Sequence, residues 1–318
     1  MDKGKRRKAK GERNSLGPAT LRFTAVLLAA FVTATPARAA MEVLTCEPEW
    51  AALVTELAGE KVSVSSATTA RQDPHRIEAR PSLLAKARRA DLLVCTGAEL
   101  EAGWLPILQR ESGNAKIRAG ADGYFEAAAY AEMIERPERV DRALGDLHAA
   151  GNPHIHLTPY NIARVAPALA ERLEKLDPAN AAHYTARVKD FLERWNAAIR
   201  RWEQNATPLK GMPVAAHHKD WVYLAHWLGL KIVATLEPKP GIDPSAAHLA
   251  ELVERLKQKP AKAILRTNYQ SARPSEWVAE RTGAKALELF YTVGGSDRAA
   301  NLFAWMDDVL ARLLVATQ

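Results

Sequence analysis

The feature that most narrows the fold of this chain is a repeated alternation of short apolar runs with stretches of helical spacing. Strand-like runs fall at 42–46, 61–65, 91–95 and, more weakly, 116–118, and again at 213–217, 231–236, 262–266 and 285–290. Between the two sets, 161–176 has helical spacing, Asp177-Pro178 reads as a helix start, and Tyr184, Val188, Phe191, Trp195 and Ile199 carry the pattern to about Asn205. The expected architecture is α/β: two doubly wound parallel-sheet lobes joined by a long rigid α-helix. The lobes are expected at 40–160 and 208–318, with the linking helical segment at 161–207. Ligands of such sheets bind beyond the carboxyl ends of the strands, so the cleft between the lobes is where chemistry is expected.

A content of 47% apolar and 25% charged residues suits a folded chain and excludes disorder. The formal charge of +7 lies wholly in residues 1–39, where nine Lys and Arg face only Asp2 and Glu12; the remainder balances 35 basic against 35 acidic groups. With no basic excess on the body, nucleic acid is not an expected partner.

Residues 1–39 read as a signal peptide. Lys3 to Arg13 form a basic stretch, Phe23 to Ala34 an apolar core, and Ala37-Arg38-Ala39 a small-x-small cleavage site, so the mature chain is expected to start at Ala40 or Met41 in the periplasm. The apolar core is too short to span a bilayer. Cys46 is a poor lipidation site, because Thr45 precedes it and Glu42 interrupts the apolar run. Cys46 and Cys95 both close expected strands of one lobe. They could form a disulfide or lie buried as small hydrophobic residues.

Nine histidines are present, and three sit where strands end in both halves: His75 in Gln72-Asp73-Pro74-His75, His154 in Gly151-Asn152-Pro153-His154, and His218, with His217, closing the 213–217 run. Any single histidine is more often a satisfied polar side chain than a ligand, and His183, His226 and His248 on helices read that way.

Here the residues meet a resemblance. Asp73-Pro74-His75 with Arg80-Pro81-Ser82 and Ala90-Asp91-Leu92-Leu93-Val94 resembles the first-ligand region of the periplasmic zinc and manganese solute-binding proteins of ABC importers. Asn152-Pro153-His154-Ile155-His156-Leu157-Thr158-Pro159 resembles their second-ligand motif, Asp177-Pro178-Ala179-Asn180-Ala181 the start of their linking helix, and His218 with Trp221, Tyr223, Gly229 and Leu230 their third-ligand segment. The ordered set spans nearly all of 41–318.

The resemblance implies His75, His154 and His218 as metal ligands, with Asp297 in Tyr291-Thr292-Val293-Gly294-Gly295-Ser296-Asp297 as the fourth. A one-residue slip would present His217 instead of His218. The alternative for Asp297 is an acid beside a Ser296 helix cap, a role that could coexist with ligation. Residues 120–151 lack the His-rich insertion of many zinc-binding members, holding only His148, which is left outside the core site. Three imidazoles and a carboxylate suit tetrahedral zinc, whereas manganese prefers oxygen-rich shells and is less favoured.

The resemblance further implies a non-enzymatic monomer that hands Zn²⁺ to an inner-membrane ABC permease, with a zinc-donating chaperone as a further partner it allows. Two other classes stand beside it. A zinc hydrolase needs an open coordination position and a general base, and no His-Glu-x-x-His segment is present. A structural or adhesin-like relative would fold without metal affinity.

Overall fold

A computed structural model of the protein describes residues 40–137, 145 and 148–318. The expected signal segment and its cleavage site lie outside the described residues. Residues 40–318 form one compact unit.

The first half runs β1 (Met41–Thr45), α1 (Pro48–Ala58), β2 (Val62–Ser66), α2 (Pro81–Arg89), β3 (Leu92–Cys95), α3 (Leu105–Ser112) and β4 (Tyr124–Glu126). Two helices follow, α4 (Pro159–Leu176) and α5 (Ala181–Asn205). The second half runs β5 (Pro213–Ala216), α6 (Val222–Leu228), β6 (Lys231–Thr235), α7 (Ala246–Gln258), β7 (Ala263–Thr267), α8 (Ala272–Thr282), β8 (Lys285–Leu289) and α9 (Leu302–Leu314). The strands make two four-stranded parallel sheets of the same order, β2-β1-β3-β4 and β6-β5-β7-β8. In each sheet the chain steps outward on one side of its first strand and then returns to the other. The crevices beside β1 and β5 are therefore the places where loops diverge and a ligand can enter.

Alternation along the central strands shows why both faces are covered. Leu93 and Cys95 of β3 point to α2 and α3, with Leu83, Trp104 and Leu108, while Leu92 and Val94 point to α1 and α4. In the second sheet Ile264 of β7 packs with Leu252 and Val278, and Ala263 and Leu265 face the opposite way. Sheets buried on both faces read as unbroken apolar runs, which is how these strands stand out in the sequence. One apolar cluster is continuous from β1 and α1 through α4 and α5 to β5 and α9, and holds Trp50, Trp195, Trp202 and Trp305.

The helical pattern breaks at Asp177-Pro178 for a local reason. Asp177 ends α4, and its Oδ2 accepts from Tyr184 Oη at 2.8 Å and Asn180 Nδ2 at 2.7 Å, turning the chain into the long helix α5. The expected strand at 116–118 is a correction. There Asn114 Oδ1 accepts from Lys116 N and closes a 3-10 turn, Ala115–Ile117, while the edge strand forms at β4, where Phe125 is buried. A lone Ile117 between two cations had the composition of a strand end and the geometry of a turn.

Cys46 and Cys95 are bridged, with Cα atoms 4.7 Å apart, because β1 and β3 are hydrogen-bonded neighbours. Thiol titration of denatured, unreduced protein is expected to find no free thiol. Two thiols per chain would show that the strand ends are not joined.

Candidate metal centre

His75, His154 and His218 converge in the crevice where the carboxyl ends of the two sheets meet, and their ligand atoms lie within 4.8 Å of one another. Ring centroids stand 5.4 Å apart for His75 and His154, 5.9 Å for His75 and His218, and 5.5 Å for His154 and His218. His154 is 1% exposed and His218 8%.

Each ring is aimed by its own neighbour. Asp73 Oδ1 takes both the His75 backbone N–H at 3.0 Å and Nδ1 at 2.7 Å, an Asx turn made by the Asp-Pro-His order itself. Asn152 Oδ1 does the same for His154, at 3.0 and 2.8 Å, while Asn152 Nδ2 donates to Lys219 O at 2.9 Å and so fixes which way the amide faces. Glu237, at the end of β6, accepts from His218 Nδ1 at 2.6 Å. With each Nδ1 engaged by an oxygen, all three Nε2 atoms turn inward, and those of His75 and His154 are buried without a hydrogen bond. The His75 loop is tied down by Trp104 Nε1 donating to Pro74 O at 2.8 Å, and across the cleft by Asn268 Nδ2 donating to Ala70 O at 2.7 Å.

Burial, reinforced by the neighbouring imidazoles, holds His154 well below the usual histidine range. Burial alone would depress His218 too, but Asp220, Glu237 and Asp73 outweigh it and raise this ring to about 9. Burial would raise the Asp73 carboxyl, yet the hydrogen bond and charge of His75 bring it below its ordinary value.

The structure does not bring Asp297 to the three histidines. Gly294 N donates to Ala299 O and Ala299 N to Ser296 O, closing a turn at whose tip Asp297 is exposed; α9 starts later, capped by Asn301 Oδ1 on Ala304 N. Asp297 is thus apart from both the metal cluster and the helix start. His217 is buried beside the cluster, with its backbone N–H on Leu265 O, and lines the outer cavity of about 490 Å³ together with Glu237 and Asp243. His148 stands over His75, with ring centroids 5.6 Å apart. A carboxyl group that faces the Nε2 side of the imidazoles is Asp220, fully buried, with Oδ1 3.6 Å from His154 Nε2 and 3.7 Å from His218 Nε2. Sequence reasoning passed over it, although it lies two residues after His218 in the segment that supplied Trp221 and Tyr223.

Two matched α/β sheets that pool buried imidazoles at a shared crevice define a two-lobed metal-binding protein. Residues 43–316 match the family described as ZnuA, zinc-uptake complex component A, periplasmic, and the chain belongs to that family. It is 25% identical over 227 residues to the high-affinity zinc uptake system protein ZnuA of Bacillus subtilis (strain 168), covering 70% of this chain and 69% of that one. It is 23% identical over 238 residues to the manganese ABC transporter substrate-binding lipoprotein PsaA of Streptococcus anginosus, covering 74% and 75%. A crystal structure of ZnuA superposes with a TM-score of 0.71 at 24% identity, over 87% of this chain and 98% of that chain, and shares the fold.

Proposed function

We propose that this protein captures Zn²⁺ in the periplasm on His75, His154 and His218 and delivers it to the permease of an ABC importer in the inner membrane. The carrying observation is that three imidazoles from both halves of the chain, two of them buried, have every Nδ1 held by an oxygen and their ligand atoms within 4.8 Å of one another. Such a nitrogen-rich set fits zinc, while manganese would favour more oxygen donors. On this reading the lobes at 40–160 and 208–318, linked by 161–207, act as a monomer exported by a cleaved signal peptide, without bond chemistry. A zinc-donating chaperone would meet the same cavity mouth. Native mass spectrometry of protein taken from the periplasm is expected to find one zinc per chain and a start at Ala40 or Met41. Manganese in its place, or no metal, would overturn the reading.

With Nδ1 engaged by Glu237, the second proton of a charged His218 would sit on Nε2, on the side where a cation would bind. Because an imidazole must be neutral to ligate, and His218 is raised to about 9, zinc binding near pH 7 expels that proton. The affinity is therefore expected to rise with pH, by up to roughly tenfold per unit, until pH passes about 9. Calorimetric titrations in buffers of different ionisation enthalpy should count roughly one proton released per ion at pH 7. An affinity flat from pH 7 to 9 would contradict the assignment of His218.

A further inference from the structure

We infer that Asp220 is the fourth ligand of this site, so that the ion is held by three Nε2 atoms and one carboxylate oxygen contributed from within the His218 segment itself. The inference rests on the reading of the three histidines as a zinc site.

Asp220 is wholly buried, and nothing donates to its Oδ1. Its other oxygen accepts from Gln270 Nε2 at 3.1 Å, and Gln270 is held in turn by its Oε1 accepting from Thr267 N at 2.9 Å. A buried carboxyl with a free oxygen is costly unless a positive partner meets it. The neighbours of that oxygen are His154 Nε2 and His218 Nε2. Both rings have their Nδ1 atoms engaged by acceptors, Asn152 Oδ1 and Glu237 Oε2, so a neutral ring offers a lone pair on the Nε2 side. Once His218 gives up its second proton, lone pairs converge here with no hydrogen bond between them, an arrangement that a cation satisfies.

The spacing agrees. Ligands about 2.0–2.1 Å from a tetrahedral zinc stand about 3.3–3.4 Å apart along each edge. The two Asp220 distances, 3.6 and 3.7 Å, need only a few tenths of an ångström of contraction. The short turn Lys219–Trp221 makes this reach possible, since it starts directly after His218 and carries Asp220 back under the imidazole it follows. Asp297, exposed on its own turn, has no comparable approach.

Zinc competition against a chromogenic chelator and the visible absorption of the Co²⁺-loaded protein test this on the purified full chain. Asp220→Asn is expected to weaken zinc binding by about a hundredfold and to shift the Co²⁺ bands as water or an amide replaces the carboxylate. Asp297→Asn is expected to leave both unchanged. Gln270→Ala, which frees the carboxylate without removing it, is expected to weaken zinc by about tenfold and decides the matter should Asp220→Asn fail to fold. Zinc affinity within twofold of the parent and an unchanged Co²⁺ spectrum in Asp220→Asn, or in Gln270→Ala where Asp220→Asn does not fold, would overturn the inference. The underlying zinc site fails separately: it does so if the parent protein takes up no zinc, or if His154→Ala binds as well as the parent.

Discussion

His154→Ala is expected to weaken zinc binding by roughly a hundred- to a thousandfold. Structural zinc sites yield on the order of 12 kcal/mol, so one of four ligands carries about 3 kcal/mol or more. His154 also has the least scope for replacement by water, being almost completely enclosed. His75→Ala and His218→Ala should fall in the same range. His183→Ala and His248→Ala should not, since His183 Nε2 contacts Ala58 O at 3.0 Å in the α1–α5 packing and His248 lies on α7, both outside the cluster. Asn152→Ala should lie between these limits, at about ten- to a hundredfold, because it loosens the His154 ring without removing it. The sharpest contrast is His217→Ala with His218→Ala in one competition titration. A greater loss from His217→Ala would mean that the register after β5 presents the other imidazole.

The second large effect is expected on stability. Glu49→Ala should cost about 3–5 kcal/mol, because the buried Glu49 accepts from Thr292 Oγ1 at 2.5 Å, which would be left buried and unsatisfied, and is the carboxylate 3.2 Å from the buried His156 Nδ1. The other His156 nitrogen contacts Tyr291 O at 3.2 Å, so this one carboxyl on α1 joins the His154 turn to the loop after β8. Glu49→Gln keeps the volume and one acceptor, and should lose less than half as much. Urea unfolding of both variants gives the comparison through the shift in midpoint at constant slope. Equal losses would assign the effect to the charge alone, and no loss would mean that this network does not hold the halves together.

The exceptions to what the sequence shows are set by short turns and contacts distant in the chain. The two sets of strands were legible because buried parallel strands leave apolar runs, and the positions of His75 and His154 because Asp-Pro-His and Asn-Pro-His impose a local turn that aims the ring; His218 was marked by its place after β5 and by resemblance, since its ring is aimed by Glu237, nineteen residues on. Asp220 was not legible. Its direction depends on a three-residue 3-10 turn, and its partner Gln270 comes from fifty positions away. Asp297 misled for the complementary reason: a carboxylate in the right stretch of sequence was displaced from the crevice by the turn that Gly294 and Ala299 close. The weak strand at 116–118 failed because three residues do not show a period, and the Asn114 cap decided their conformation.

The apolar cluster that runs unbroken from α1 to α9 limits how the ion can be given up. Parting the sheets would expose several large side chains, among them Trp50, Trp195 and Trp305, at about 1.5–3 kcal/mol each or more. A binding protein that opens like a jaw would need its cargo, or its receptor, to supply that energy on every cycle. On that account the cargo would be exchanged through a fixed frame, by movement of the segments that line the cavity. Docking at the membrane would then work as a latch does, by displacing one or two short loops and leaving the hinge untouched.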